Sequence, residues 1–226
     1  MNYAGVLFYN DGPELLQRCI RALKACKIKV IAVDGPWLEF VTAARQCGVE
    51  LTPHSTDGCL DVARAEADLV IEAPITVELE KRNTYIREVP VGDYVWYVDA
   101  DEIIRPFVLP EGEPSQDVYI LDNYWRERRA KNVQTIRVYK KYPDLGHRYQ
   151  HARLYRLDQH DPMDLNSGLI FCGRDPGNAR FPVLKDVNGA NVAMDHYLLE
   201  RPKQRMDIKN VYLKIRAENK YPWTRT

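Results

Sequence analysis

The chain has 226 residues with equal numbers of basic and acidic side chains, 32 of each, and 45% of its residues are hydrophobic. This length and apolar content suffice to bury one substantial core, so a single domain over residues 1–226 is expected. The zero net charge provides no overall field that would favour nucleic acid or a membrane surface. Charge is nevertheless uneven: residues 120–160 hold ten Lys or Arg against four Asp or Glu.

The cysteines and the start of the chain indicate a cellular compartment. The five cysteines are odd in number and form no CxxC pair, which favours reduced thiols over a disulfide framework or a zinc site. The first residues contain neither a basic region nor a long apolar run. We therefore predict a cytoplasmic protein with no signal peptide, no membrane span and no integral membrane contact.

Predicted strands and helices alternate through the first half of the chain. The β-rich apolar segments predict strands at 3–8, 28–33, 69–71 and 91–98, with a further short strand at 49–52. Helical spacing and start signals predict helices from Pro13 and over 37–46, 57–67 and 75–89. Repeated strand–helix units predict an α/β domain with a mixed, mostly parallel central sheet flanked by helices.

The second half, residues 106–226, reads as an extension of the same sheet. Strands are predicted at 117–122, 135–139 and 152–157, and a short apolar run at 192–197 leads to His196. Residues 201–220 alternate basic and apolar positions at helical spacing, which predicts a C-terminal helix. We expect residues 1–105 to form the ligand-binding half and the remainder to form the other wall of the site.

One stretch carries most of the chemistry. Residues 91–104 read VGDYVWYVDADEII, an apolar segment followed at once by three carboxylates. Desolvating unpaired charge is costly, so Asp99, Asp101 and Glu102 are expected where a buried strand leaves the sheet. Alternation puts Asp99 and Asp101 on one side, and two such oxygen ligands suit Mn²⁺ or Mg²⁺ held together with substrate phosphates. The alternative is a solvated acidic turn after an edge strand.

Other strand ends bring polar groups to the same edge. Tyr9, Asp34 and Asp99 follow three different predicted strands, and ligands of parallel sheets bind beyond those carboxyl ends. The sequence contains no GxGxxG, GxxxxGK[ST] or GxSxG motif. This disfavours a dinucleotide oxidoreductase, a P-loop enzyme and an α/β-hydrolase. Phosphates would then be neutralised by a metal ion and basic side chains.

Three segments resemble the GT-A fold glycosyltransferases, most closely family 2. They are LFYNDGP at 7–13, KRN at 81–83 and GDYVWYVDADE at 92–102. In that family a Tyr-Asn pair meets the nucleotide base, an acidic residue ending the second strand contacts uracil, and an Arg-Asn pair precedes the strand leading to the DXD motif. The resemblance covers residues 3–105. It departs at 48–80 and at Gly35-Pro36-Trp37, where the family has an Asn/Ser-rich turn.

The resemblance implies roles for individual residues. The implied nucleotide-binding residues are Phe8, Tyr9, Asp34, Arg82, Asp99 and Ala100. The implied metal ligands are Asp99, Asp101 and His196, and Asp101 is expected to be essential for catalysis. If transfer inverts the anomeric centre, a carboxylate must deprotonate the acceptor; Asp122 is the first candidate, followed by Asp175 and Asp195.

Several of these residues have a structural alternative. Tyr9 can be a rim aromatic, Asp34 the cap of the Gly35-Pro36 turn, Arg82 a surface helix arginine, and His196 a hydrogen-bonded core histidine. We also expect Asp101→Asn to leave stability nearly unchanged, because it relieves repulsion among neighbouring carboxylates.

The expected function is metal-dependent transfer of a sugar from a nucleoside diphosphate sugar, with uridine diphosphate favoured, to an acceptor hydroxyl. The basic stretch keeps a hydroxylated nucleic-acid base open as acceptor beside a glycan, and a base in a duplex would have to be flipped out. The alternatives are a nucleotidyltransferase, which would want a glycine-rich N-terminal phosphate loop, and a non-catalytic nucleotide-sugar-binding module.

Overall fold

The computed structural model describes residues 1–115, 118–125, 148–157, 183–197 and 200–218. The strands in these ranges are β1 (Asn2–Phe8), β2 (Lys29–Asp34), β3 (Leu69–Glu72), β4 (Tyr94–Asp99), β5 (Glu102–Ile104), β6 (Val118–Trp125), β7 (Arg148–Arg156) and β8 (Ala193–His196). The helices are α1 (Pro13–Ala25), α2 (Leu38–Gln46), α3 (Cys59–Glu66), α4 (Glu78–Ile86) and α5 (Lys203–Glu218). No helix in the described ranges combines the length and apolar character needed to cross a membrane.

The strands form one mixed sheet in the order β3-β2-β1-β4-β7-β6-β8-β5. The first four are mutually parallel, as strand–helix–strand connections require. Strand β7 is antiparallel to β4 and β6, β8 is parallel to β6, and β5 is antiparallel to β8. The prediction of an α/β protein with a parallel sheet part flanked by helices is therefore confirmed.

Helices cover both faces of the parallel part. Leu16, Ile20 and Leu23 on one side of α1 pack with α3 against the buried side chains of β1, β2 and β4. On the opposite face, Tyr85 and Ile86 of α4 pack on Leu7, Ile31 and Val95. Both faces of these strands are thus removed from water, which explains their nearly continuous apolar sequences. Gly5 leaves room for the Tyr85 ring, which a Cβ at that position would strike.

Helix α5 packs on α2 at the carboxyl ends of the strands. Ile208 and Tyr212 of α5 join Trp37 and Phe40 in a separate buried cluster that also contains Tyr9. The chain therefore returns, about 200 residues after it began, to the edge where β1 ends. This packing decides which C-terminal side chains reach the site.

The structure differs from the sequence prediction in two places. Residues 49–52 form no strand; Val49 and Leu51 instead pack against the cluster between α2 and α5, which takes up their apolar side chains. The three-residue strand β5 was not predicted, because a segment that short carries too little periodicity. The strand predicted at 135–139 lies outside the described residues.

Candidate functional site

The predicted meeting of strand ends at one edge of the sheet is confirmed. In the parallel register, Phe8 pairs with Asp34 and Leu7 pairs with Asp99. The loops that follow β1, β2 and β4 therefore start side by side. Parallel sheets place their ligands at this edge because the carboxyl ends of neighbouring strands open there together.

Asp101 lies in the turn after β4 and is fully buried. Its Oδ1 accepts a hydrogen bond of 2.8 Å from Arg201, and its Oδ2 lies 2.9 Å from Nε2 of His196 at the end of β8. Burial alone would raise the pKa of Asp101, but Arg201 and His196 hold it well below its ordinary value. Asp101 is therefore ionised and held on both oxygens.

Asp11, in the loop after β1, carries another fully buried carboxylate. Its Oδ2 accepts the Tyr9 N–H at 2.9 Å, and its Oδ1 lies 3.0 Å from Nε of Arg201 and 3.3 Å from Nε of Arg205. Arg201 thus joins Asp11 to Asp101 and links the first loop of the chain to the start of α5. We call Asp11, Asp99, Asp101, Arg82, Arg201, Arg205 and His196 the charged cluster.

Asp99 is the most accessible carboxylate of this cluster, although only 29% of its side chain is accessible. Its Oδ1 lies 3.2 Å from a guanidinium nitrogen of Arg82, which also pairs with Glu78 at 2.8 Å and stacks 3.8 Å from the Tyr97 ring centre. Burial would raise the pKa of Asp99, but Arg82 holds that pKa below its ordinary value. The Asp99 N–H donates to Glu102 at 2.9 Å, which closes the turn.

A cavity of about 130 Å³ opens between α4 and α5 beside the cluster. We call it the α4–α5 pocket. Its lining combines four cations, two carboxylates and three aromatic rings with two leucines: Arg82, Arg201, Arg205, Lys209, Glu78, Asp99, Trp37, Tyr97, Tyr212, Leu7 and Leu213. Tyr212 donates a 2.6 Å hydrogen bond to Glu78 and so ties α5 to α4 across the pocket.

The residues predicted to contact the base lie at the edge but are engaged with the chain itself. Tyr9 is buried, and its hydroxyl donates to the Thr52 carbonyl oxygen at 3.0 Å. The Asp34 carboxylate is also buried and accepts hydrogen bonds from the Ser55 N–H and hydroxyl, with His54 Nδ1 at 3.2 Å. A role for Asp34 in base recognition stays a prediction; in this structure it fixes the 54–55 segment.

Phe8, Ala100 and Lys81 frame these strand ends. The Phe8 carbonyl oxygen accepts the Gly35 N–H at 3.2 Å, and both Phe8 and Ala100 are buried. The Lys81 ammonium donates to the carbonyl oxygens of Asp34 at 3.0 Å and Ala73 at 3.4 Å. Burial lowers the pKa of Lys81 to about 8. Lys81 therefore ties together the ends of β2 and β3.

The three candidate acceptor bases fall in different places. Asp122 lies in β6, paired with Ala193 of β8, and its side chain is outside the described part of the structure. Asp175 lies outside the described residues altogether. Asp195 precedes His196 and, by strand alternation, takes the opposite face, where it pairs with Arg105 at 2.9 Å. That salt bridge occupies Asp195, so Asp122 stays the first candidate.

The donor atoms of Asp101 and His196 fit two neighbouring positions of a metal site. Ligands about 2.1 Å from an octahedral ion lie about 3 Å apart along an edge, close to the 2.9 Å found here. Asp99 is bound to Arg82, and the described residues contain no group of three or more His, Cys, Asp or Glu side chains placed to hold an ion. Water and substrate phosphates would have to supply the remaining ligands.

Sequence reasoning missed the basic half of the cluster. Arg205, Lys209 and Tyr212 follow one another at spacings of four and three residues and share one side of α5, and Arg201 lies two residues before the helix at the same four-residue spacing. That spacing was visible, but the sequence does not say which surface this side of the helix meets. Asp11 belongs to the LFYNDGP segment. Its partner Arg201 lies 190 residues away, so no pattern in the sequence around Asp11 indicates this pairing.

The structure contradicts the reason for expecting that Asp101→Asn would not lower stability much, which was repulsion among neighbouring carboxylates. The Asp101 carboxylate does not lie in a solvated turn. It lies between the Arg201 guanidinium and the His196 imidazole, and all three side chains are buried. Removing its charge would leave Arg201 in the interior with fewer acceptors, which is strongly destabilising.

The site and the sheet together define an α/β protein with a buried charged cluster at the carboxyl ends of its parallel strands. No family model and no curated protein sequence matches the chain. An assignment of function therefore has to come from the chemistry of the cluster and the pocket beside it.

Proposed function

We propose that the chain is a metal-dependent glycosyltransferase of GT-A type that uses a nucleoside diphosphate sugar, with uridine diphosphate favoured. The acceptor is a hydroxyl on a glycan or on a modified nucleic-acid base. One observation carries the proposal: Asp99 ends the strand beside β1 and Asp101 follows it, and the two are held by Arg82 of α4 and by Arg201, just before α5, next to a cavity rich in basic groups.

This arrangement suits the departure of a diphosphate. As the glycosidic bond breaks, negative charge grows on the leaving phosphate, and preorganised cations in a site shielded from water stabilise it. Arg82 and Arg201 are fixed by carboxylates before any substrate arrives, so little reorganisation is needed during the reaction. Such preorganisation is the largest contribution in many enzymes.

Asp101 and His196 would hold the ion. A bound Mn²⁺ or Mg²⁺ supplies positive charge to the diphosphate and lowers the barrier to its departure. Arg201 donates a hydrogen bond to Oδ1 of Asp101. This bond orients the carboxylate so that its Oδ2 faces His196. Two protein ligands leave most of the coordination shell to water and phosphate, so the chain should bind metal weakly unless a nucleotide is present.

The acceptor hydroxyl must lose a proton when it attacks the sugar. A carboxylate within hydrogen-bond reach would take that proton if the reaction inverts the anomeric centre. Asp122 is the proposed base, because β6 runs beside β8 and its end at Trp125 pairs with His196. Asp122→Asn is the variant that tests this role, with the rate of donor hydrolysis and the rate of transfer measured separately.

Calorimetry with a panel of nucleotides tests the donor assignment. Uridine diphosphate with Mn²⁺ should bind at least about tenfold more tightly than guanosine or adenosine diphosphate, which corresponds to about 1.4 kcal/mol. Nucleotide and metal should each strengthen binding of the other by the same factor. Equal affinity for the three nucleotides would remove the uridine assignment.

A turnover assay on the same samples separates the rival functions. A glycosyltransferase releases nucleoside diphosphate from a labelled donor, and a nucleotidyltransferase releases pyrophosphate from a nucleoside triphosphate. A binding module gives affinity without either product. Full activity in the presence of a chelator would contradict the metal-dependent mechanism.

A further inference from the structure

A second cavity, of about 340 Å³, lies at the amino ends of β1 and β2, away from the charged cluster. We call it the amino-end cavity. Its lining is mainly apolar and comprises Asn2, Ala25, Cys26, Lys27, Ile28, Phe107, Val108, Leu109, Pro110 and Glu113. Pockets that bind small molecules measure roughly 300–1,000 Å³, so this cavity has the volume for a small ligand.

One wall, formed by residues 107–113, is held in place by contacts with the rest of the fold. The Val108 carbonyl oxygen accepts the Val187 N–H at 2.8 Å. The Phe107 ring packs on the Trp96 ring, with 5.6 Å between the ring centres. These contacts keep the segment from closing over the cavity. The cavity is therefore formed before a ligand binds, as is usual for small-molecule sites.

The opposite wall comes from the end of α1 and the turn that follows it. Lys27 has a φ of 59°, the left-handed conformation that commonly ends a helix. Its N–H donates to the Lys24 carbonyl oxygen at 2.9 Å. Ile28 comes next, is only 3% exposed and lines the cavity. The helix end thus places a fixed apolar surface opposite the first wall.

One polar atom of the lining has no partner among the described residues. Oδ1 of Asn2, at the start of β1, is buried and accepts no hydrogen bond in the described part of the chain. Leaving a buried acceptor without a donor is costly. A donor that is not part of the chain is therefore expected to bond to this oxygen.

The charges of the lining cancel. Lys27 contributes one positive charge and Glu113 one negative charge, so their sum is zero (1 − 1). The α4–α5 pocket, in contrast, has four cations and two carboxylates. The amino-end cavity therefore suits an uncharged ligand. The half-buried Phe107 ring adds an aromatic surface, on which a second ring can pack in an offset or edge-to-face geometry.

We propose that the amino-end cavity binds a small, uncharged aromatic molecule that carries one N–H or O–H donor, of the indole or phenol type. The ring packs among Ile28, Phe107 and Leu109, and the donor bonds to Oδ1 of Asn2. This site is independent of the proposed function, because the amino-end cavity and the charged cluster lie at opposite ends of the parallel sheet.

Titration calorimetry with two isomeric probes tests the bond to Asn2. The probes 3-methylindole and 1-methylindole are nearly equal in size and apolar surface, but only 3-methylindole has an N–H donor. The wild-type chain should bind 3-methylindole about fivefold more tightly, which is the effect of one net hydrogen bond. Asn2→Leu replaces the amide by an apolar group of similar size, so its affinities for the two probes should agree within about twofold.

A substitution that fills the cavity tests the location. Ala25 is the exposed last residue of α1 and lines the cavity. Ala25→Phe should therefore occupy the space of the ligand and weaken 3-methylindole binding at least about tenfold. Ala65→Phe is the matched control, because Ala65 is exposed on α3 outside the lining. Its affinity should stay within about twofold of wild type.

Each outcome can be read without any measurement of sugar transfer. Absence of 3-methylindole binding by the wild-type chain, or equal affinity for the two isomers, overturns the site. Equal losses in Ala25→Phe and Ala65→Phe overturn it as well, as does an isomer preference that persists in folded Asn2→Leu. Thermal melting checks the folding of each variant. If Asn2→Leu does not fold, the isomer preference of the wild type and the loss in Ala25→Phe decide the question.

Discussion

Two cavities in the described part of the chain, at opposite ends of the parallel sheet, differ in size and charge. The larger, about 340 Å³, lies at the amino ends of β1 and β2 and is lined mainly by apolar groups such as Ile28, Phe107 and Leu109. The smaller, about 130 Å³, lies at the carboxyl ends and is lined by four cations. Cavity size by itself would favour the amino end, whereas buried charge, which is costly for a fold to keep, favours the carboxyl end as the site.

The difference follows from chain direction. At the carboxyl ends, the loops after β1, β2 and β4 emerge together, and α5 returns to close over them. At the amino ends, the chain only enters the sheet, and the wall of the cavity comes from the end of α1 and the segment after β5. A parallel sheet therefore concentrates polar loops at one edge.

The largest effect is expected for Asp101→Asn, which changes the carboxylate at the centre of the charged cluster. Transfer should fall by about 10²-fold or more, because the metal ligand and the acceptor of Arg201 are removed together. The free energy of unfolding should fall by about 3 kcal/mol, since the buried Arg201 guanidinium loses one of its two carboxylate partners. Urea denaturation and a donor turnover assay measure the two effects.

Glu113→Gln is the matched carboxylate change at the amino-end cavity. It should leave both transfer and the urea midpoint close to wild type. If Glu113→Gln impaired transfer as much as Asp101→Asn, the contrast between the two ends would disappear, and the functional site would have to be sought at both.

The acceptor class gives the next largest effect. Strand β6 ends at Trp125 beside His196, and Arg126, Arg128 and Arg129 follow in sequence, outside the described residues. If the acceptor is a nucleic acid, its affinity should fall steeply with salt, and replacing all three arginines by Gln should reduce the slope by about 0.9 for each phosphate that they neutralise. Filter binding between 50 and 200 mM salt, as approximate limits, measures this slope. Affinity that does not depend on salt would favour a neutral glycan or a small molecule as the acceptor.

The smallest effect concerns Lys81, which ties β2 to β3 at the carboxyl ends. Its pKa of about 8 in the folded chain lies below the ordinary value of a lysine, so the unfolded chain binds more protons between about pH 8 and pH 10. Stability should therefore rise with pH in this window, by about 2 kcal/mol attributable to Lys81. Lys81→Met should remove that part of the rise.

Lys27 provides the comparison at the other end. It lies on the amino-end cavity and is exposed, so Lys27→Met is the control for removing one lysine away from β2 and β3. Urea midpoints of the wild type, Lys81→Met and Lys27→Met, measured at about pH 7.5 and about pH 9.5, test this prediction. Identical pH slopes in wild type and Lys81→Met would mean that Lys81 titrates as an ordinary surface lysine.

Local sequence predicted the parts of the site that depend on strand direction. The end of β4 at Asp99, the neighbouring end of β2 at Asp34 and the arrival of β8 at His196 were all readable from apolar runs followed by polar residues. Each of these predictions requires only that a strand be recognised from its side-chain period and that neighbouring parallel strands end at the same edge of the sheet. The segment at 49–52 failed because its apolar residues pack on a helix cluster that no local pattern reveals.

The sequence by itself determined the α/β class, the common edge of the strand ends and the acidic residues placed there, because these follow from short-range periodicity. Only the tertiary structure decided that Asp11 and Asp101 share Arg201, that Arg205 and Lys209 face the pocket rather than solvent, and that Asp34 and Tyr9 are engaged by residues 52–55. These pairings join residues up to 190 positions apart. Their energies depend on burial and mutual distance, which are properties of the folded chain and not of any segment of it.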